Sequence, residues 1–184
     1  MDSWEQLKSE CMTCRGCELC RGRHNVVFGD GNPAADIMLV GEGPGEQEDL
    51  RGLPFVGPAG QLLDDMLELI DLNRENVYIA NVVKCRPPQN RDPRPEEQAA
   101  CRKWLDRQIE LVNPKMLVLV GRIAAAALTG EDIRITQDHG KDYEVCGRPA
   151  VVLYHPSFLL RDQSRRPETF VDLKHIQQEL KKLT

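Results

Sequence analysis

The residues of this chain that could do chemistry form a cysteine run and a set of polar groups standing at the ends of apolar segments. Cys11, Cys14, Cys17 and Cys20 follow one another at three-residue steps, and Cys85, Cys101 and Cys146 come later. Two C-x2-C pairs can build a zinc site, and the same spacing suits thiolates that hold an iron–sulfur cluster; spacing alone does not choose. Cys146 falls in a separate hairpin over Tyr143–Arg148 and reads as a buried thiol. The six others exceed one tetrahedral site, so two are surplus.

Glu42 stands between Gly41 and Gly43 in the stretch GEGPGEQED, Gly41–Asp49. Such glycine density lets backbone amides approach a ligand closely. Neither GxGxxG nor GxxxxGK[ST] is present, and Glu42, Glu46, Glu48 and Asp49 would repel a phosphate. A carboxylate in a partly dehydrated pocket instead orients or activates water, or stabilises a cationic transition state. Glu42 is the candidate; Glu46 and Asp49 read as solvated loop acids. Phe55, one of four phenylalanines, lies in the turn Leu53–Gly57 outside any helical or strand period. It is either a local core plug or a platform on which a flat base stacks. Asn81 stands in an otherwise apolar strand, Val77–Val83, and needs a partner for its amide, either local backbone or a base edge offering donor and acceptor together. His155 closes another apolar run, in Leu153–Ser157.

The elements that must position these groups alternate. Apolar runs at Ile37–Val40, Val77–Val83, Met116–Val120 and Ala150–Tyr154 have the length and bounding turns of strands buried on both faces. Between them, Leu62, Leu63, Met66, Leu67 and Ile70 recur at helical steps, as do Cys101, Trp104, Leu105, Gln108, Ile109 and Val112 after Pro95. A short helix over Arg122–Leu128 and a last one with Phe170, Leu173, Ile176, Leu180 and Leu183 on its apolar stripe complete the series. Strand–helix alternation predicts an α/β fold with a mainly parallel sheet and helices on both faces. Chemistry in such sheets collects past the strands' carboxyl ends, where Glu42, Asn81 and His155 lie.

The 184 residues amount to one domain, 1–184, with a cysteine-rich segment at 11–23 and no internal repeat. At 41% hydrophobic and 29% charged, the composition is globular rather than disordered or fibrous. No apolar stretch is long enough to span a membrane, and MDSWEQLKSE carries no apolar signal segment, so a soluble cytoplasmic protein is expected. An odd count of seven cysteines in such a chain argues against a disulfide framework. The net charge of -5 argues against coating nucleic acid by bulk positive charge. Any such contact is local, through the basic stretches Lys84–Arg94 and Arg161–Arg166.

Taken in order, GEGPGEQED with PFVGPAGQLLDDML, NVVKCRPPQNRDPRPEEQAAC, and HPS with FLLR resemble the family 4 uracil-DNA glycosylases, the iron–sulfur type, from Cys14 to the C-terminal helix. The resemblance implies a three-layer αβα sandwich around a parallel four-stranded sheet. It implies hydrolysis of the N-glycosidic bond of uracil in DNA, with free uracil and an abasic site as products. It places a 4Fe-4S cluster on Cys14, Cys17, Cys85 and Cys101, in a register set by Leu19, Arg23, Phe28 and Gly29; Cys11 and Cys20 depart from the minimal pattern. By the same likeness Glu42 and His155 are catalytic, with Glu42 placing water and His155 beside uracil O2. Gly41, Gly43, Glu48, Phe55 and Asn81 bind the base, Glu48 near C5, and Leu159, Leu160 and Arg161 occupy the position of a DNA-intercalating loop. A monomer acting on uracil-containing DNA is expected. The other readings are a catalytically inactive DNA-binding module and an iron–sulfur redox carrier.

Overall fold

The computed structural model describes residues 3–184. Helix α1 spans Trp4–Met12 and is followed by strands β1, Asp30–Gly31, and β2, Ile37–Gly41. Helices α2, Glu46–Arg51, and α3, Pro58–Glu68, lead to β3, Val77–Asn81. Then come α4, Pro95–Val112, β4, Met116–Val120, α5, Arg122–Thr129, and α6, Ile135–Asp138. The hairpin β5, Asp142–Val145, with β6, Arg148–Leu153, precedes α7, Pro156–Arg161, and α8, Arg166–Leu183.

The sheet has six strands in the order β1-β3-β2-β4-β6-β5. This corrects the expected four-stranded sheet: the four apolar runs form the parallel centre, β3-β2-β4-β6, and antiparallel edge strands are added on both sides. The two-residue β1 carries no sequence signal, whereas β5 is the first arm of the hairpin expected over Tyr143–Arg148. Period-2 alternation sends the central side chains to opposite faces. Met38, Val40, Ala80, Leu117, Leu119 and Val152 pack with α1, α4 and α5 on one face. Leu39, Ile79, Met116, Val118, Val151 and Leu153 pack with α3, α7 and α8 on the other. Two helical layers thus enclose the sheet.

Local chemistry sets the helix boundaries. Pro58 and Pro95 open α3 and α4 at positions where a missing N–H costs nothing. Glu97 accepts from Arg94 N–H at 2.8 Å to complete the start of α4. The stripe expected on α8 differs: Phe170 is 44% and Leu183 38% exposed, while Asp172, paired with His139 at 2.7 Å, turns inward beside Leu173 and Ile176. Cys146, read as a buried thiol, is exposed, because it occupies the β5–β6 hairpin turn at φ 52°.

Candidate active site

Parallel register brings the tips of β2 and β3 together, so that Gly41 lies beside Asn81. A Cβ at Gly41 would stand 2.5 Å from Asn81 Oδ1 and 2.7 Å from the tip of the Phe55 ring, so only glycine lets these two side chains share that corner. Asn81 is 2% exposed and its Oδ1 has no hydrogen-bond partner. An unpaired buried amide oxygen costs about 1–3 kcal/mol, which marks it as waiting for a donor.

Phe55 is buried and sits at φ 52°, a left-handed conformation that costs a non-glycine residue about 1–2 kcal/mol. Its ring centroid is 5.5 Å from that of His155 at 31°, so the two rings touch and form adjoining walls. Glu48, expected to face the base, instead spends its carboxylate on the loop: Oε1 accepts from Gly45 N–H at 3.0 Å, and Oε2 from Val56 and Gly57 N–H at 3.0 and 3.2 Å. It braces the turn that carries Phe55 while still lining the cleft.

His155 precedes α7 and caps it. Its Nδ1 faces the Ser157 N–H at 3.1 Å and the Ser157 hydroxyl at 2.7 Å. Because a backbone N–H can only donate, Nδ1 is the acceptor, and the neutral ring carries its proton on Nε2. Burial, with help from Arg161, lowers the imidazolium pKa to about 4. A neutral Nε2–H donor beside Phe55 results.

Glu42 follows β2 and lines an open cleft of about 400 Å³ together with Gly43, Asp92, His155 and Arg161. Burial first, and then the nearby Asp92, raise its pKa to about 7 against the opposing pull of Arg122. This places a carboxylate that is poised near neutrality at the mouth of the same cleft. The basic stretches around Arg91 and Arg161 meet there, as the sequence predicted. Two members depart from expectation. Lys84 is not in a solvated loop but 1% exposed, donating to Asn81 O at 2.8 Å and Gln108 Oε1 at 2.6 Å. Leu159, expected at a DNA surface, is 1% exposed and belongs to the core under α7; Leu160, at 38%, and Arg161 remain outside. The rule behind both is that the buried position of a one-turn helix or strand extension follows its neighbours' packing, not its own type. Asp49 is likewise 1% exposed rather than solvated, tied to His24 N–H at 2.8 Å and His24 Nδ1 at 2.6 Å.

Six cysteines line a second, small cavity of about 20 Å³ with Leu19, Val26 and Trp104. Among the described residues no three of His, Cys, Asp and Glu converge as they would on a single metal ion. The donors lining the cavity are sulfurs, the type that holds iron–sulfur groups. Three of the predicted quartet accept N–H···S bonds: Cys14 from Gly16 N–H at 3.4 Å, Cys101 from Lys84 N–H at 3.3 Å and Cys85 from Arg23 Nη1 at 3.5 Å. Cys11 and Cys20 accept no such bond among the described residues. Burial raises the thiols of Cys17, Cys85 and Cys101, Cys85 to about 11, so a bound cation must supply the thiolate form. Trp104, which lines the cavity, has a buried indole N–H with no partner. The donor set therefore fits an iron–sulfur group.

Sequence reasoning missed Ser157, Asp92, Gln108, Trp104 and the burial of Lys84. Only Lys84 left a signal, since the apolar run Val77–Val83 leads straight into it.

The profile of the uracil DNA glycosylase superfamily matches residues 28–181 of the chain. A type-4 uracil-DNA glycosylase of Archaeoglobus fulgidus is 45% identical over 184 residues, covering 96% of this chain and 92% of the relative. One of Thermotoga maritima is 46% identical, covering 87% and 84%. A type-5 enzyme of Thermus thermophilus is 34% identical, covering 71% and 68%.

Proposed function

The chain belongs to the uracil-DNA glycosylase superfamily and removes uracil from DNA in repair, and from that premise we propose that the corner formed by Gly41, Phe55, Asn81 and His155 receives the extruded base. The observation that carries this reading is the buried, unpartnered Oδ1 of Asn81. Uracil N3–H supplies the donor that oxygen lacks, while the amide nitrogen donates to O4; cytosine presents the opposite pattern. The Phe55 ring offers the stacking face that offsets the few kcal/mol spent on flipping the nucleotide. Gly43 leaves space beside Glu42, and Glu48, immobilised by three amides, forms the wall toward C5.

In the reaction the C1′–N1 bond breaks and its electron pair departs with uracil, spreading onto O2. The Nε2–H of neutral His155 donates to O2 as that charge develops, a bond that strengthens only in the transition state. Ionised Glu42 holds water against the oxocarbenium-like sugar and accepts its proton as the new C1′–O bond forms. Arg161 and the exposed Leu160 meet the DNA at the rim.

A 4Fe-4S cluster on Cys14, Cys17, Cys85 and Cys101 completes the reading, supported by the N–H···S bonds to Cys14, Cys85 and Cys101. When bound, it supplies cross-links rather than electron transfer, tying the N-terminal segment to the β3 loop and α4. Among the described residues no helix is long and apolar enough to cross a membrane. We place the protein in the cytoplasm, acting as a monomer and a single domain.

The test is release of free uracil from a uracil-containing oligonucleotide by Asn81→Ala. Activity should fall at least about 100-fold while the unfolding midpoint holds, because the lost oxygen had no partner to leave behind. Wild-type release by this variant would refute the slot.

A further inference from the structure

Arg74 lies in the loop between α3 and β3, outside every motif used above, with its side chain 23% exposed. Its Nη1 donates to Pro54 O at 2.8 Å, and its Nη2 donates to Phe55 O. The guanidinium is held in turn by Asp64 of α3, Nε to Oδ1 at 2.8 Å, and by Asp30 of β1, Nη1 to Oδ2 at 3.2 Å. One planar fork thus collects two successive carbonyls of the turn in which Phe55 adopts φ 52°. Carbonyl dipoles pointing at one place repel each other unless a cation lies between them. The next two amides, of Val56 and Gly57, point the other way into Glu48 Oε2. Gly60 completes the clamp, since a Cβ there would overlap the Phe55 carbonyl.

We propose that Arg74 is a positioning residue for excision: by clamping the Pro54 and Phe55 carbonyls to α3 and β1, it holds the Phe55 ring at the corner shared with Gly41, Asn81 and His155. The proposal rests on the reading of Phe55 as the stacking platform. Lysine, with one small ammonium head in place of the fork, cannot satisfy both carbonyls and both carboxylates in this geometry.

The test is a double-mutant cycle on the cluster-loaded protein, with Arg74→Met, Phe55→Ala and the pair, and Arg74→Lys alongside. Uracil release and inhibition by free uracil are the two readouts. Arg74→Met should lower kcat/KM about tenfold or more and weaken uracil inhibition by a similar factor, with Arg74→Lys between it and wild type. In the Phe55→Ala background Arg74→Met should add less than about twofold, because there is no ring left to position. An equal loss in both backgrounds, or an Arg74→Met protein with wild-type kinetics, overturns the proposal. If Phe55→Ala itself excises uracil at the wild-type rate, the platform reading is what fails, and the inference falls with it. Should Arg74→Met not fold, Arg74→Lys carries the same cycle.

Discussion

The main-chain N–H of Ser157 stands 3.1 Å from His155 Nδ1, and this single contact decides which nitrogen of the catalytic candidate bears the proton. Burial, aided by the charge of Arg161, keeps the ring neutral until the pH approaches 4. The folded-state value lies below the ordinary 6.5, so the unfolded chain binds the proton first as pH falls. His155 therefore adds a stability that is complete above 6.5 and is lost on descent toward 4. Thermal unfolding at stepped pH should show the midpoint dropping across that window in the wild type and dropping less in His155→Gln. The same substitution should cut uracil release by about 100-fold or more at neutral pH, as for loss of a donor to a developing oxyanion. An identical pH slope for both proteins would contradict the buried neutral ring.

Glu42 titrates in the opposite sense. Burial first, and then Asp92, raise it to about 7, and only the ionised form can take a proton from water. Single-turnover uracil release should climb with pH through about 7 and then level. Asp92→Asn removes one of the two upward causes and should shift the climb to lower pH without lowering the plateau. Glu42→Gln should flatten it. A profile unmoved by Asp92→Asn would separate the two carboxyl groups.

Adjacent leucines on α7 should part company. Leu159→Ala opens a cavity in the core and should destabilise the protein by about 2–5 kcal/mol in chemical denaturation. Leu160→Ala touches solvent, so its stability should hold within about 0.5 kcal/mol, while excision from duplex DNA falls more than from single strands. Equal effects on the two substrates would remove Leu160 from the duplex contact.

Iron content and visible absorbance read the sulfur cage. Cys85→Ser and Cys101→Ser should abolish both, whereas Cys20→Ser and the exposed Cys146→Ser should keep them. Chelation of the wild type should lower its unfolding midpoint, since binding free energy is then withdrawn from the folded state. Retention of iron by Cys101→Ser would move the cage to the N-terminal run.

The chemistry-bearing residues were legible because their positions follow from local rules. His155 directly follows its apolar run and so had to stand near a strand tip, and parallel connection puts such tips on one edge; Asn81 lies inside the run Val77–Val83, and the structure ends β3 at it. Of the edge strands, the β5 hairpin was legible around Cys146, but β1 was not, because its two-residue pairing is made by backbone and needs no side-chain pattern. Burial of Lys84, Asp49 and Leu159 was hidden for a related reason: each is inside only because a partner from another segment, Gln108, His24 or helix α3, packs against it.

By itself, then, the order of residues determined the alternating α/β architecture, the strand-end location of Glu42 and His155, and the cysteines competent to bind metal. Tertiary structure alone decided which Glu48 oxygen braces which amide, which His155 nitrogen holds the proton, and that Arg74 grips the Phe55 turn. Hydrophobic periodicity is local and survives in one dimension, whereas a hydrogen bond between segments exists only once the packed core has brought donor and acceptor within about 3 Å.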